Sequence, residues 1–286
     1  MKIWAKSVLF LVAGAGVALG GAYLYVDQVT RSKRAQVYPD PALALDASMQ
    51  GAIAQGDIEL GRRIVQVRNG CTDCHGKDLA GAVIMDNPAM GQIAGANITP
   101  FRTAAWSDAQ WVKAVRYGLN QDNQALVLMP SHEYFALSQA DLGAVIAYLK
   151  SLPAIDKPSP EVKLGPVAKA LLAFERAPTL LSAQTLNFDA PFSDKPQEAA
   201  TVAFGDYLAK TTCSGCHGPN YQGGPIPGGA PDWPEAANLH GLAAKQWNEA
   251  TFDGAVRHGE NSEGVALKAP MPQFQFNDQE VEALWL

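Results

Sequence analysis

Basic charge and cysteine are both scarce in this 286-residue chain, and each scarcity closes off a class of function. Lysine and arginine number 22 against 28 acidic residues, a formal net charge of −6. The basic face that nucleic-acid binding requires is missing, so no nucleic acid is expected as a partner. Four cysteines are too few to build a disulfide scaffold of this length. Charged residues make up only 17% of the chain, yet mean hydropathy is −0.06. That balance excludes a multi-span membrane protein and a disordered one alike. Glycine (26) and proline (19) are plentiful, and the length suits two small domains better than one.

A long apolar run occurs once, from Ser7 to Val26, with Lys2 and Lys6 before it and Asp27, Arg31, Lys33 and Arg34 after it. At about 1.5 Å per residue the run covers about 30 Å, one hydrocarbon core. A transmembrane helix is expected there, with residues 1–34 as an anchor and membrane contact through residues 7–26. A cleaved signal peptide, with small residues Ala18 and Gly20 before the cut, is the alternative. Gly16 and Gly20 have the spacing that lets two helices approach closely. Residues 35–286 hold 17 basic and 27 acidic residues, an acidic surface suited to a basic patch on a partner.

The four cysteines fall in two pentapeptides, Cys71-Thr72-Asp73-Cys74-His75 and Cys213-Ser214-Gly215-Cys216-His217. Two thiols three residues apart can add to the two vinyl groups of a haem, and the next residue then offers its imidazole to the iron. The pattern reads as c-type haem attachment, although CxxC also occurs in zinc and redox sites. A repeat decides between these. Asn97-Ile98 recurs as Asn238-Leu239, Trp106 as Trp247, and Ala114–Gly118 as Ala255–Gly259. Met129-Pro130 recurs as Met271-Pro272, each methionine 58 residues after the first cysteine of its pentapeptide. A duplicated haem module explains these landmarks together, and two covalent haem c groups are expected.

Each module reads as helical. Leu60, Ile64 and Val67 share one face of a helix over 57–68, and its copy covers about 200–210. Further helices are expected after the caps Ser107, Asn248 and Ser138. Gly76–Asn97 and Gly218–Asn238 are rich in glycine, proline and small residues and are expected to be loops along the haem edge. The fold class is therefore all-α: an N-terminal transmembrane helix (1–34), a first haem domain (35–155), an interdomain linker (156–197) and a second haem domain (198–286).

In order and spacing these elements resemble the class I c-type cytochromes over residues 57–152 and 200–286. The Asn97–Pro100 segment, Trp106–Trp111 and Leu137–Leu152 look more narrowly like cytochrome subunits of periplasmic membrane-bound dehydrogenases. The resemblance implies iron held by His75 and Met129 in one module and by His217 and Met271 in the other. Proline beside each methionine restricts the backbone that presents the thioether. Met85, Met90, His132, His240 and His258 are rival ligands, His132 being the strongest because it lies three residues after Met129. Arg116, Arg257, Trp106 and Trp247 are candidate donors to the haem propionates, and Asn97 and Asn238 are candidate cofactor contacts. A loop carbonyl near Pro88, and one near Pro227 or Pro231, would hold the second nitrogen of each proximal histidine.

The expected function is electron transfer rather than catalysis, because an iron with both axial positions filled has no open site for substrate. The chain would carry single electrons from a dehydrogenase or quinol-oxidising complex to an oxidase or soluble carrier. Its expected place is the bacterial inner membrane, as a single-pass protein with the haem domains in the periplasm. A dihaem peroxidase is the alternative, and the symmetric Met129 and Met271 speak against it.

Overall fold

The computed structural model describes residues 2–41, 45–227 and 233–286, with side chains from residue 14 onward except Ala15. Two mainly helical modules follow an N-terminal helix, α1 (Lys2–Arg34). In module one, α2 (Ala47–Ala54) and α3 (Ile58–Arg63) begin on Asp46 and Asp57, whose carboxylates accept from first-turn N–H groups. A π-turn over Ile64–Arg68 carries α3 towards α4 (Cys71–His75). The hairpin β1 (Ala82–Asn87) and β2 (Gly91–Gly95) follows, then α5 (Pro100–Thr103) and α6 (Asp108–Tyr117). The module closes with α7 (Ser131–Tyr134) and α8 (Gln139–Ser151). Between the modules lie β3 (Lys163–Leu164), α9 (Pro166–Ala173) and a 3-10 segment, Pro178–Thr185. Module two comprises α10 (Val202–Thr212), α11 (Ser214–His217), α12 (Glu249–Asp253) with a π-turn over Gly254–His258, and α13 (Asp278–Trp285).

Both modules are built on one crossing, of the helix ahead of the attachment site with the last helix. In module one, Gly61 of α3 lies so close to α8 that a Cβ there would sit 2.0 Å from the Ala144 carbonyl oxygen. In module two, Gly205 of α10 meets the Ala283 carbonyl of α13 just as closely. Only glycine permits that approach, and the apolar residues around it make the core. Module one has the larger core, with Ile64, Trp111, Leu142, Ile146 and Leu149 at its centre.

Two expectations need correction. The fold is not purely helical, because β1, β2 and β3 form an antiparallel sheet within a region expected to be loop. Val83, Ile84 and Ile93 are strand-favouring residues among the small ones, and Gly91 in the left-handed region (φ +84) turns the hairpin. The linker packs on module one: Leu172, Leu180, Leu181 and Ala183 are buried in its core.

The second correction concerns the N-terminus. Among the described residues no helix is long and apolar enough to cross a membrane. This overturns the expected transmembrane helix over 7–26, and with it the single-pass placement in the inner membrane. Part of that run, residues 7–13 and 15, lies outside the side chains described. Instead α1 continues unbroken through Asp27, Arg31, Lys33 and Arg34 and lies against α9. There Lys169 pairs with the buried Asp27 at 2.6 Å, Thr30 donates to the Lys169 carbonyl, and Lys33 pairs with Glu175. These polar contacts fix the end of the helix to the linker.

The modules meet through equivalent positions of their sequences. Asn69 and Thr211, which hold equivalent positions two residues before each first cysteine, touch directly, the Asn69 Nδ2 donating to the Thr211 carbonyl at 2.8 Å. On one side, Glu280 of α13 is buried and accepts from Arg63 (2.6 Å) and Arg68 (2.8 Å). On the other, the buried Asp141 of α8 accepts from the Tyr207 hydroxyl (2.7 Å) and pairs with Lys195. Asp141 and Glu280 both sit three residues after the N-cap of the last helix, so each module uses the same position to grip the other.

Candidate functional site

Each attachment helix is followed by the same turn. After His75, Gly76 (φ +82) and Leu79 (φ +58) bend the chain, Leu79 N–H donates to the Gly76 carbonyl, and Gly81 N–H donates to that of His75. After His217, Gly218, Tyr221 and Gly223 repeat every feature. Ile98 and Leu239 then bond back to Leu79 and Tyr221, which brings the preceding carbonyls over the histidines. His75 Nδ1 lies 2.7 Å from the Ala96 oxygen and His217 Nδ1 lies 2.8 Å from the Ala237 oxygen. The acceptors are therefore Ala96 and Ala237, not carbonyls near Pro88 or Pro227; Pro231 lies outside the described residues. A carbonyl on Nδ1 fixes the proton there and leaves Nε2 with a free lone pair, the state a metal requires.

In module one the histidine opens on a cleft of about 570 Å³. Cys71, Cys74 and His75 line it, as do Leu128, Met129 and Pro130. Trp106, Trp111, Val115, Leu126, Val145 and Leu149 make most of the remaining surface apolar. β2 crosses behind the attachment helix so tightly that a Cβ at Gly95 would lie 2.1 Å from the Cys74 carbonyl oxygen. No disulfide joins any of the four cysteines. Burial pushes Cys71 and Cys213 up to about 12 and raises Cys74 and Cys216 as well. A redox-active CxxC has the opposite signature, a thiol made acidic. Among the described residues no three of His, Cys, Asp and Glu gather to hold a metal ion, so the zinc reading has no ligand set.

The sites of the two modules adjoin. Glu133, four residues after Met129, presses its carboxylate against Gly215 in the second attachment helix, where a Cβ would be 2.0 Å from Oε1. Burial there pushes Glu133 up to about 7.

The structure does not bring every expected residue to the cleft. Arg116 is fully buried elsewhere: it donates to the carbonyls of Phe135, Ala190 and Pro191 and lies between the rings of Phe135 and Phe192. It ties the linker to module one and does not line the cleft. Arg257 is engaged by Asp253 (2.9 Å) and Asp278 (2.8 Å) on a surface groove. The residue missed is Arg102, which lines the cleft beside His75 and stacks on Trp106. The repeat hid it, because the equivalent position of module two is alanine. Asn97 is buried and serves the backbone, donating to the Ile155 and Lys157 carbonyls and accepting from Thr99. Asn238 is exposed and caps His240, and Trp247 is half-buried. Met271 packs half-buried on Val256, Phe276 and Val281.

Among the rival ligands, Met85 and Met90 lie on the hairpin and do not line the cleft. His132 turns to Ser182, His240 is bonded to the Asn220 carbonyl, and His258 is exposed at the end of its π-turn.

Paired thiols followed by a histidine whose Nε2 is free, on an apolar cleft, define a protein that holds haem covalently. The sequence model of one family, Cytochrome c, matches the chain over residues 58–153 and 202–285, more than half of its length. The chain belongs to the cytochrome c family, with two such domains, and the family implies covalently bound haem c and electron transfer. None of the curated proteins matches it. The residues of module one fit the group: cysteines with no other bond, a histidine prepared for metal, and an apolar cavity within the size range of cofactor sites.

Proposed function

We propose that the chain is a dihaem electron carrier, one haem to each module, with His75 and Met129 as the axial pair of the first and His217 and Met271 of the second. One observation carries this reading: Cys71, Cys74, His75 and Met129 line a single apolar cleft. The bound iron supplies reversible one-electron chemistry. The protein's part is to set its potential and exclude water. A thioether ligand raises the potential relative to two histidines, and the apolar walls favour the less charged state. The contact of Asn69 with Thr211, just ahead of the two attachment helices, supports passage of an electron from one module to the other within the chain. The acidic balance of residues 35–286 supports a basic redox partner, with a dehydrogenase or quinol-oxidising complex as donor and an oxidase or soluble carrier as acceptor.

Denatured full-length protein should retain haem, and its mass should exceed that of the chain by two haem groups. Cys71→Ser with Cys74→Ser should remove one of the two, as should Cys213→Ser with Cys216→Ser. A mass equal to the chain plus one haem would refute the dihaem reading.

A further inference from the structure

Ser182 lies in the 3-10 segment of the linker and is completely buried. Its hydroxyl donates to the Met129 carbonyl at 2.7 Å, with the Thr179 carbonyl at 3.2 Å as a second acceptor. The neighbouring Leu128 N–H donates to the Leu180 carbonyl at 2.8 Å, so two successive residues of the methionine loop are pinned by the linker. Leu128 needs such support, because it is held in the left-handed region (φ +60), where a leucine is strained.

The same hydroxyl has a second task. With its proton on a carbonyl, Oγ is free to accept from His132 Nδ1, 3.1 Å away. His132 is only three residues beyond Met129, and imidazole is a ready iron ligand. Yet Met129 lines the cleft and His132 does not. In module two the residue three beyond Met271 is Phe274. Its loop is held from within the module, Phe274 N–H donating to the Val256 carbonyl at 2.7 Å. The module that carries a competing histidine is thus the one whose loop is clamped from the linker.

We infer that Ser182 is a positioning residue that selects the ligand of module one, holding the Met129 loop in place and keeping His132 from taking its place on the iron. The inference rests on the His75/Met129 reading proposed above. Its test uses the oxidised, haem-loaded full chain. Two signals report the ligands: the near-infrared thioether-to-iron charge-transfer band and the electron paramagnetic resonance spectrum. Met129→Ala should remove about half of the band, the share of one haem. Ser182→Ala should remove a similar share, produce the resonance of a bis-histidine haem and lower one of the two potentials. Adding His132→Phe to Ser182→Ala should restore the band, because the competitor is gone. Haem staining and thermal unfolding of Ser182→Ala verify that it folds. An undiminished band in Ser182→Ala, or a loss that His132→Phe does not reverse, would overturn the inference. A full band in Met129→Ala would instead overturn the methionine reading beneath it.

Discussion

Module one and module two share an attachment helix, the turn behind it and the glycine crossing with the last helix, but they differ in what encloses them. Module one is wrapped: the β-sheet crosses behind its cysteines, the linker enters its core, and Arg116 fastens residues 190–191 to α6. Module two has, among the described residues, two small apolar clusters in place of one large core. Its stability must therefore come in larger part from its neighbour. A repeated sequence has produced one module with a large core and one with two small clusters.

The largest effect should come from cutting that dependence. Glu280→Ala leaves Arg68 buried with only the more distant Glu198, at 3.6 Å, as a charged partner. Loss of one partner of a buried pair costs about 3–5 kcal/mol. Denaturant unfolding should split into two transitions, module two melting first. A single unshifted transition would show that the modules are equally robust.

The glycine crossings offer the next test. Gly61→Ala and Gly205→Ala each place a methyl against a helix carbonyl, and overpacking of this kind costs about 1–3 kcal/mol. Module one has a large core to absorb part of the shift, so the drop in melting temperature should be greater for Gly205→Ala.

Acid should act on the same interface. Burial alone would raise the Glu280 carboxyl, but hydrogen bonds and charge from Arg63 and Arg68 outweigh it and hold the group below its ordinary 4.5. Its contribution to stability is complete above that value and declines as pH falls through the lower, folded one. Melting curves below about pH 4 should therefore lose cooperativity between the modules. Glu280→Gln should show no such pH dependence in this window.

The smallest contrast is at the helix caps. Ser107→Ala and Asn248→Ala each remove a side chain that accepts from the third residue of its helix, at a cost of about 1 kcal/mol. α6 is ten residues long and buried, whereas α12 has five and then a π-turn. Far-ultraviolet dichroism should register fraying only for Asn248→Ala.

The sequence made the chemistry legible because covalent attachment leaves a pattern in contiguous residues: Cys71, Cys74 and His75 need no fold to be recognised. Helix starts at Asp57, Ser107 and Ser138 were equally open, since capping is local. What was hidden depends on distant partners. Equivalence in the repeat suggested that Arg116 and Arg257 act alike, but one meets linker carbonyls and the other meets Asp253 and Asp278. Arg102 had no repeat partner to draw attention to it. The left-handed Leu79 and Tyr221 could not be foreseen from residue type, which would suggest glycine or asparagine. Apolar content over 7–26 suggested a membrane helix, whereas the ion pair and hydrogen bond of α1 with α9 come from Asp27 and Thr30, just beyond that run.

The contact of Asn69 with Thr211 joins positions that are copies of one another, as across the axis of a symmetric dimer. Two separate subunits would keep such an interface only above their dissociation constant, and dilution would pull them apart. A covalent connection replaces bulk concentration with an effective one in the millimolar range or above. The pairing is then independent of expression level. Fusion also frees the two faces to diverge, since a change at Glu280 no longer appears twice. Asp141 with Tyr207 on one side, and Glu280 with two arginines on the other, are what such a dimer becomes once its halves can be altered one at a time.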